Sequence, residues 1–466
     1  MDISVRFLGG ASTVTGSKYL LTIGGFKLLI DCGLFQGLKD LRLRNWDDFP
    51  VPPAEIDAVV LTHAHIDHTG YLPRLVKQGY GGPIYCTTPT RDLLDILLRD
   101  SAKLQEEEAA YAAKAGYSRH QKPLPLYTTE DAETVFPIIK DAPLNEAIQI
   151  HPSITLQFAY AGHILGASSI YLSIKGESQT KKILFSGDIG RYDHPIFFDP
   201  VCPPDVDVLF IESTYGDRQN PDEDVERDFA QIVNDALDRG GVLLIPAFAV
   251  GRTQEILYYL KKLRDNKLIP KCNIYVDSPM AIDSTKLYMR HPDFHRLTKA
   301  ELDAQDTFLH FDGLTYCIAQ EDSKALNDIR RNAIIISASG MLAGGRILHH
   351  LYHRLPHEQD TLMFTGFQAE GTRGRTILEG EPSVRIFGHE VRILCNVAKL
   401  DGLSAHADQG ELFRWAQHLN QAPKFTFIVH GERLASEPLF NYLQNELNWN
   451  CVIPEYLENV KLFSNI

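Results

Sequence analysis

The stretch "LTHAHIDHTG", Leu61 to Gly70, places three histidines and an aspartate within six positions. Both residue types bind divalent metals, and both are poor choices for a packed core. The H-x-H spacing lets two imidazoles of an extended segment, His63 and His65, reach one ion. Asp67 and His68 then face a neighbouring position. Four donors exceed what one open catalytic zinc takes, since such sites usually have three protein ligands. Two ions with an activated water between them is the economical reading.

More donors are expected from distant strand ends. "AYAGHILGAS" sets His163 between glycines just after an apolar strand, and "ILFSGDIGR" does the same with Asp188. "FTFIVHGE" repeats the pattern with His430, and "LIDCG" with Asp31. One acid ending a strand is usually a turn residue. Four repeats of apolar strand, then Asp or His, then Gly, point to a shared site.

The elements that must position these residues change character along the chain. The first part is β-rich: "ISVRFLG", "KYLLTI", "FKLLIDCG", then "SITLQFAYA", "SSIYLSI", "KKILFSGD" and "DVDVLFIEST". A helix is predicted over 90–114, with Gly116 as its C-cap. After about residue 215, strands alternate with helices, as in "VLLIPAFA", "GRTQEILYYLKKLRDN" and "CNIYVDSP", the mark of a parallel α/β unit. β-rich character resumes with "SVRIFG", "VRILCNVAKL" and "KFTFIVHG". The predicted organisation is one α/β domain, 216–385, inserted between two parts of another, 1–215 and 386–466.

Composition narrows the setting. With 466 residues, 44% hydrophobic and 23% charged, the chain is an ordinary globular protein of several domains. Its net charge of -14 argues against a generic polyanion binder. Seven scattered cysteines without a C-x-x-C pair fit a reducing compartment and exclude a cysteine zinc knuckle. No signal peptide or membrane-length apolar run is evident, so a cytoplasmic protein without membrane contact is expected. The oligomeric state is not readable, and a homo-oligomer is compatible with the sequence.

H-A-H-I-D-H, preceded by Asp31 and followed by His163 and Asp188, resembles the metallo-β-lactamase superfamily signature. "FIESTYG", "GLSAHAD" and "FIVHGE" resemble the three further motifs of its β-CASP branch. The likeness is strongest to the RNA-cleaving members related to the polyadenylation-factor endonuclease subunit. It implies an αββα sandwich carrying an inserted α/β β-CASP domain, with the active site in the cleft between them. His63, His65 and His163 would hold one zinc, Asp67, His68 and His430 a second, and Asp188 would bridge both. Asp31 would stand behind the ligands and orient the histidine loop. Asp67, His406 and Glu212 would carry the catalysis, His406 contacting the scissile phosphate or protonating the leaving oxygen and Glu212 orienting it. In the β-CASP domain the candidate RNA contacts are Arg252, Ser337, Ser339, Gly340, Arg373 and Arg375. The "HHLYH" histidines, His349, His350 and His353, read as a solvated helix face.

The resemblance therefore implies a ribonuclease with two zinc ions per chain, acting on single-stranded RNA and cutting endonucleolytically. In this family, RNA-acting members carry histidine at the last motif, where DNA-repair members carry valine. The competing readings are 5′-exonucleolytic cleavage and a small-molecule metallo-hydrolase built on the same site. The inserted domain disfavours the latter. A non-catalytic scaffold would have lost a ligand, and none is missing. Neither the large extension before "VRFLGG" found in archaeal relatives nor an added C-terminal domain is expected.

Overall fold

A computed structural model describes residues 1–115, 123–220, 224–298, 301–302, 307–366 and 368–466. Two compact units emerge: Met1–Gln219 with His406–Ile466, and Asn220–Ala405.

The first unit contains two seven-stranded sheets. One runs, in spatial order, Asn459–Phe463, Ile3–Gly9, Lys18–Ile23, Phe26–Ile30, Ala58–Val60, Ile84–Thr87 and Ile139–Ala142. The other runs Cys451–Val452, Phe425–Val429, Val208–Glu212, Thr180–Phe185, Ser168–Lys175, Ile154–Tyr160 and Ala147–His151. Strand alternation explains how they stack. Val208 and Phe210 join a core shared with Val5, Phe7 and Tyr19 of the first sheet, whereas Leu209 and Ile211 face the opposite side. Phe7 packs on Phe427 at 5.1 Å between ring centroids, and Phe185 stacks on Phe210 at 4.1 Å. Such aromatic pairs add to the area they bury. On the outer face of the second sheet, Leu209, Ile211 and Ile428 meet Leu412 and Trp415 of helix Gln409–Ala416 and Leu439 and Leu443 of helix Arg433–Leu447. Helix Thr88–Ala115 lies against Ile84–Thr87 and Ile139–Ala142. This is the αββα layering expected. The helix covers the predicted 90–114 segment, while the proposed Gly116 cap lies outside the described residues.

Direction matters more for the site than layer order. Strands Phe26–Ile30 and Ala58–Val60 are parallel. In the other sheet, Thr180–Phe185, Val208–Glu212 and Phe425–Val429 are mutually parallel, and Ile154–Tyr160 runs the same way through an antiparallel intermediary. Their carboxyl ends carry Asp31, His63, Asp188, Glu212, His430 and His163 respectively. Loops at the carboxyl ends of parallel strands are where α/β proteins gather their chemistry.

The second unit is built on a six-stranded sheet, Leu314–Tyr316, Asn273–Asp277, Ala333–Ser337, Val242–Pro246, Thr361–Phe364 and Asn396–Lys399, parallel throughout. Its end corrects the expected border at 385. "VRILCNVAKL" is not a strand of the first unit. It splits into His389–Arg392, which forms a hairpin with Ser383–Ile386, and Asn396–Lys399, which pairs with Thr361–Phe364. The unit therefore runs to Ala405, because those ladder hydrogen bonds tie the segment to its sheet.

Candidate metal centre and its acid-base pair

The histidine loop follows strand Ala58–Val60 and enters a short helical turn, Ile66–Thr69. His63 Nε2 and His163 Nε2 lie 3.0 and 3.2 Å from His65 Nδ1. Asp188 Oδ2 is 3.5 Å from both His63 Nε2 and His163 Nε2. On its other oxygen, Asp188 Oδ1 is 3.3 Å from His68 Nε2 and 3.4 Å from His430 Nδ1. His68 Nε2 and His430 Nε2 are 2.9 Å apart, and Asp67 Oδ2 is 3.4 Å from His430 Nε2. Two donor groups result, His63, His65, His163 with Asp188, and Asp67, His68 with His430. Asp188 presents one oxygen to each.

This donor set fits cations. Asp188 Oδ1 is buried yet accepts no hydrogen bond. Nitrogens as close as 2.9 and 3.0 Å cannot all carry protons, and lone pairs converging on a common point are what a metal requires. The hydrogen-bond network assigns the tautomers. Thr62 Oγ1 donates to Asp31 Oδ2 at 2.9 Å, so it accepts from His63 Nδ1 at 3.1 Å. Asp31 Oδ2 accepts from His68 Nδ1 at 2.8 Å. Thr214 Oγ1 donates to the His430 carbonyl at 3.2 Å and accepts from His430 Nδ1 at 3.1 Å. Each bond leaves Nε2 free as a ligand atom.

Electrostatics agree. Burial, aided by His68, holds the His63 imidazole well below its usual range, and burial pulls His65 down to about 4. Burial alone would push the Asp188 carboxyl up, but His430 and His68 outweigh it and keep it ionised. Burial likewise opposes charge on His68, yet Asp188 and Asp31 overcome it and raise its pKa.

Glu212 also lies within reach of Asp188 and His430. Its carboxylate is already engaged, accepting from Ile189 N–H at 2.6 Å and Thr214 N–H at 3.3 Å and facing His406 Nδ1 at 3.2 Å, which suits it better to orienting His406 than to holding a metal. His406 reaches the site because its backbone bridges Gly190, two residues past Asp188. Its ring lies 4.4 Å from that of His163 and 6.4 Å from that of His430. Burial would depress the His406 imidazole, but the Glu212 carboxylate more than offsets this and raises its pKa. Its side chain keeps 18% exposure, whereas Glu212 is fully buried. The pair can present and withdraw a proton beside both donor groups.

Residues 13–243 match the metallo-β-lactamase superfamily, 253–377 the Beta-Casp domain, and 390–454 the Zn-dependent metallo-hydrolase RNA specificity domain. A ribonuclease of Thermus thermophilus is 39% identical over 431 residues, spanning 91% of this chain and 92% of its own. The chain belongs to the β-CASP ribonuclease family of the metallo-β-lactamase superfamily. Transcription termination factors FttA of Cenarchaeum symbiosum and Methanocaldococcus jannaschii are each 32% identical, over 99% and 92% of this chain and 71% and 67% of theirs. A crystal structure of a protein of unknown function from Enterococcus faecalis covers 99% of this chain and 100% of its own at a TM-score of 0.52 and 13% identity, a likeness of fold alone. As a member of this family the chain is a zinc-dependent metallo-hydrolase.

The β-CASP unit treats its candidate contacts unequally. Arg252 is buried and ion-paired with Glu255 at 2.6 Å. Ser337 is buried and donates to the Asp277 carbonyl at 3.0 Å. Gly340 packs against Phe248, and its carbonyl accepts from Gln368 at 3.0 Å. Ser339 Oγ accepts from Ala343 N–H at 3.0 Å on a partly exposed loop. Arg373 donates to the Leu342, Ala343 and Arg385 carbonyls, and Arg375 pairs with Glu379 at 2.6 Å while remaining 39% exposed. His350 is a correction. It is buried, not solvated, and its Nε2 meets Asp277 Oδ2 at 2.7 Å, because Asp277 gathers His350, Ser323 and Arg346 at the end of its strand. His349 and His353 are exposed as expected. Thr62 and Thr214, which set imidazole tautomers, were missed by sequence reasoning, although each stands one or two residues from a motif residue.

Proposed function

We propose that this chain is an endoribonuclease that cleaves single-stranded RNA with two zinc ions. His63, His65 and His163 would hold the first, Asp67, His68 and His430 the second, and Asp188 both. The observation that carries this reading is the split of Asp188, with each oxygen 3.3–3.5 Å from a different set of imidazoles. When bound, the zinc ions supply Lewis-acid polarisation of the phosphoryl oxygen and an activated water. The chain's own residues do the rest. Asp31, Thr62 and Thr214 fix which nitrogen of His68, His63 and His430 is bare. Glu212 fixes His406 with Nδ1 protonated and supports its charged form, so His406 can protonate the leaving 3′-oxygen. The products would be a 5′-phosphate and a 3′-hydroxyl. The RNA names of the matched domain and of the Thermus thermophilus relative favour RNA, and the 2′-hydroxyl offers the hydrogen-bonding group that distinguishes it from DNA. Among the described residues no helix is long and apolar enough to cross a membrane, and the free cysteines suit a reducing cytoplasm.

The test is digestion of matched single-stranded RNA and DNA, end-labelled and internally labelled, with zinc present. Internal fragments from RNA appearing before mononucleotides support the proposal. Mononucleotides released from the first time point would make the enzyme a 5′-exonuclease. Equal cutting of DNA would overturn the RNA assignment.

A further inference from the structure

Lys18, the first residue of strand Lys18–Ile23, is 4% exposed, yet among the described residues its ammonium makes no ion pair. Its Nζ donates to the Gly33 carbonyl at 2.5 Å and lies over the rings of Phe35 at 4.4 Å and Tyr71 at 5.2 Å. Burying a charge with so little compensation is costly, and a methionine would fill such an apolar slot without that cost. The neighbouring hydrogen bonds indicate what the ammonium is for. Ser17 N–H donates to the Asp67 carbonyl at 2.9 Å, and Gly33 N–H donates to the Ser17 carbonyl at 3.0 Å. Cys32 N–H donates to the His68 carbonyl at 2.7 Å, and Leu34 N–H to the Ile66 carbonyl at 3.0 Å. Gly33 sits so tightly that a Cβ there would fall 1.6 Å from the Asp67 carbonyl oxygen. The turn holding Asp31 and the turn holding Asp67 and His68 are therefore in direct backbone contact. Lys18 adds a side-chain bond to this bracket, alongside that of His68 Nδ1 to Asp31.

We propose that Lys18 is a positioning residue for the second metal's ligands. Through the Gly33 carbonyl it presses the Asp31–Leu34 turn onto the Ile66–Gly70 turn and so sets where Asp67 and His68 stand. Without the ammonium, Gly33 presents a buried carbonyl with no donor, and the turn must shift to find one. A shift at Gly33 reaches Asp67 directly. His63 is held by Thr62, and His163 follows a strand of the other sheet, so the first metal should not feel it. The inference rests on the two-zinc reading.

Competition titration of zinc against a chromophoric chelator tests it on the full chain, with wild type, Lys18→Met and Lys18→Arg compared alongside thermal melts of the chelated proteins. Lys18→Met should weaken the second zinc about 10–100-fold, the range seen when a partner behind a ligand is removed, and leave the first unchanged. Lys18→Arg, which keeps a donor, should retain most of the second affinity. Unchanged zinc binding in Lys18→Met with only an altered melt would make Lys18 merely structural and overturn the proposal. Equal loss of both zincs, or equal loss in Met and Arg, would overturn it too. If Lys18→Met does not fold, Lys18→Gln carries the same readout. A wild type that binds a single zinc would instead refute the two-zinc reading, and this proposal with it.

Discussion

Asp31→Asn should damage the metal centre without disturbing the backbone, and the reason is a count of acceptors. Asp31 is 1% exposed, and three donors converge on it: Thr62 N–H on Oδ1 at 2.8 Å, and Thr62 Oγ1 and His68 Nδ1 on Oδ2 at 2.9 and 2.8 Å. Both oxygens must accept. Asparagine has nearly the same shape, and it tolerates the left-handed φ of +57° at this position as well as aspartate does. It has only one acceptor oxygen. If that oxygen faces Thr62 N–H, the amide NH2 points at His68 Nδ1 and drives the imidazole to the tautomer with Nε2 protonated, which cannot bind metal. If it faces His68, the NH2 abuts a buried N–H. Either arrangement leaves a mispaired buried donor, a cost of about 1–3 kcal/mol to folding. Where the tautomer flips, zinc affinity should also fall about 10–100-fold, or about 1.4–2.7 kcal/mol. Chelator competition gives the second quantity, and denaturant melts of the zinc-free protein give the first. An Asn variant that keeps wild-type zinc affinity and wild-type stability would refute the acceptor count, and with it the assignment of Asp31 as the group that sets the His68 tautomer.

Other substitutions separate the remaining roles. His406→Ala should lower turnover by about 10²–10⁴ with zinc content unchanged by elemental analysis, as expected for a lost general acid; loss of zinc would show it to be a ligand. Asp188→Ala should cost both zincs, because its two oxygens serve both donor groups; retention of two at wild-type affinity would disprove the bridge. Burial lowers the Lys18 pKa to about 8 from 10.5, so between these values the unfolded chain binds the extra proton and stability from this group rises with pH. The unfolding free energy of wild type relative to Lys18→Met should therefore climb by on the order of 3 kcal/mol from pH 8 to 10.5. Differencing the two removes the opposing effect of buried thiols not coupled to Lys18, such as Cys86, and parallel curves would show that Lys18 is not desolvated.

What could be read in advance divides along a physical line. His63, His65, Asp67, His68, His163, Asp188 and His430 are chemically conspicuous types; the first four crowd into one loop after an apolar strand, and the other three each follow an apolar strand with a glycine beside them. A metal needs bare donors gathered at turns next to rigid strands, and that requirement leaves its trace within a few residues of sequence. The border at 385 left no such trace. "VRILCNVAKL" has the alternation of a strand in either unit, and only pairing of Asn396 with Thr361 assigns it. His350 was misread for the same reason: its helix shows which residues share a face, but the partner that buries it, Asp277, lies 73 residues away.

Lys18 and the threonines extend that argument from fold to chemistry. A lysine opening a strand is an ordinary surface residue until Gly33, Phe35 and Tyr71 close around it, and a threonine hydroxyl is indifferent until a carboxylate on one side and an imidazole on the other decide which way its proton points. Residues that touch a metal are constrained by type, whereas those that hold the ligands are constrained only by position. A methionine at 18 would leave every metal-binding motif intact. On the structural argument, it would still change where Asp67 and His68 stand. Ligand motifs alone therefore cannot establish that a chain of this family carries a working second metal position; the bonds behind the ligands have to be counted as well.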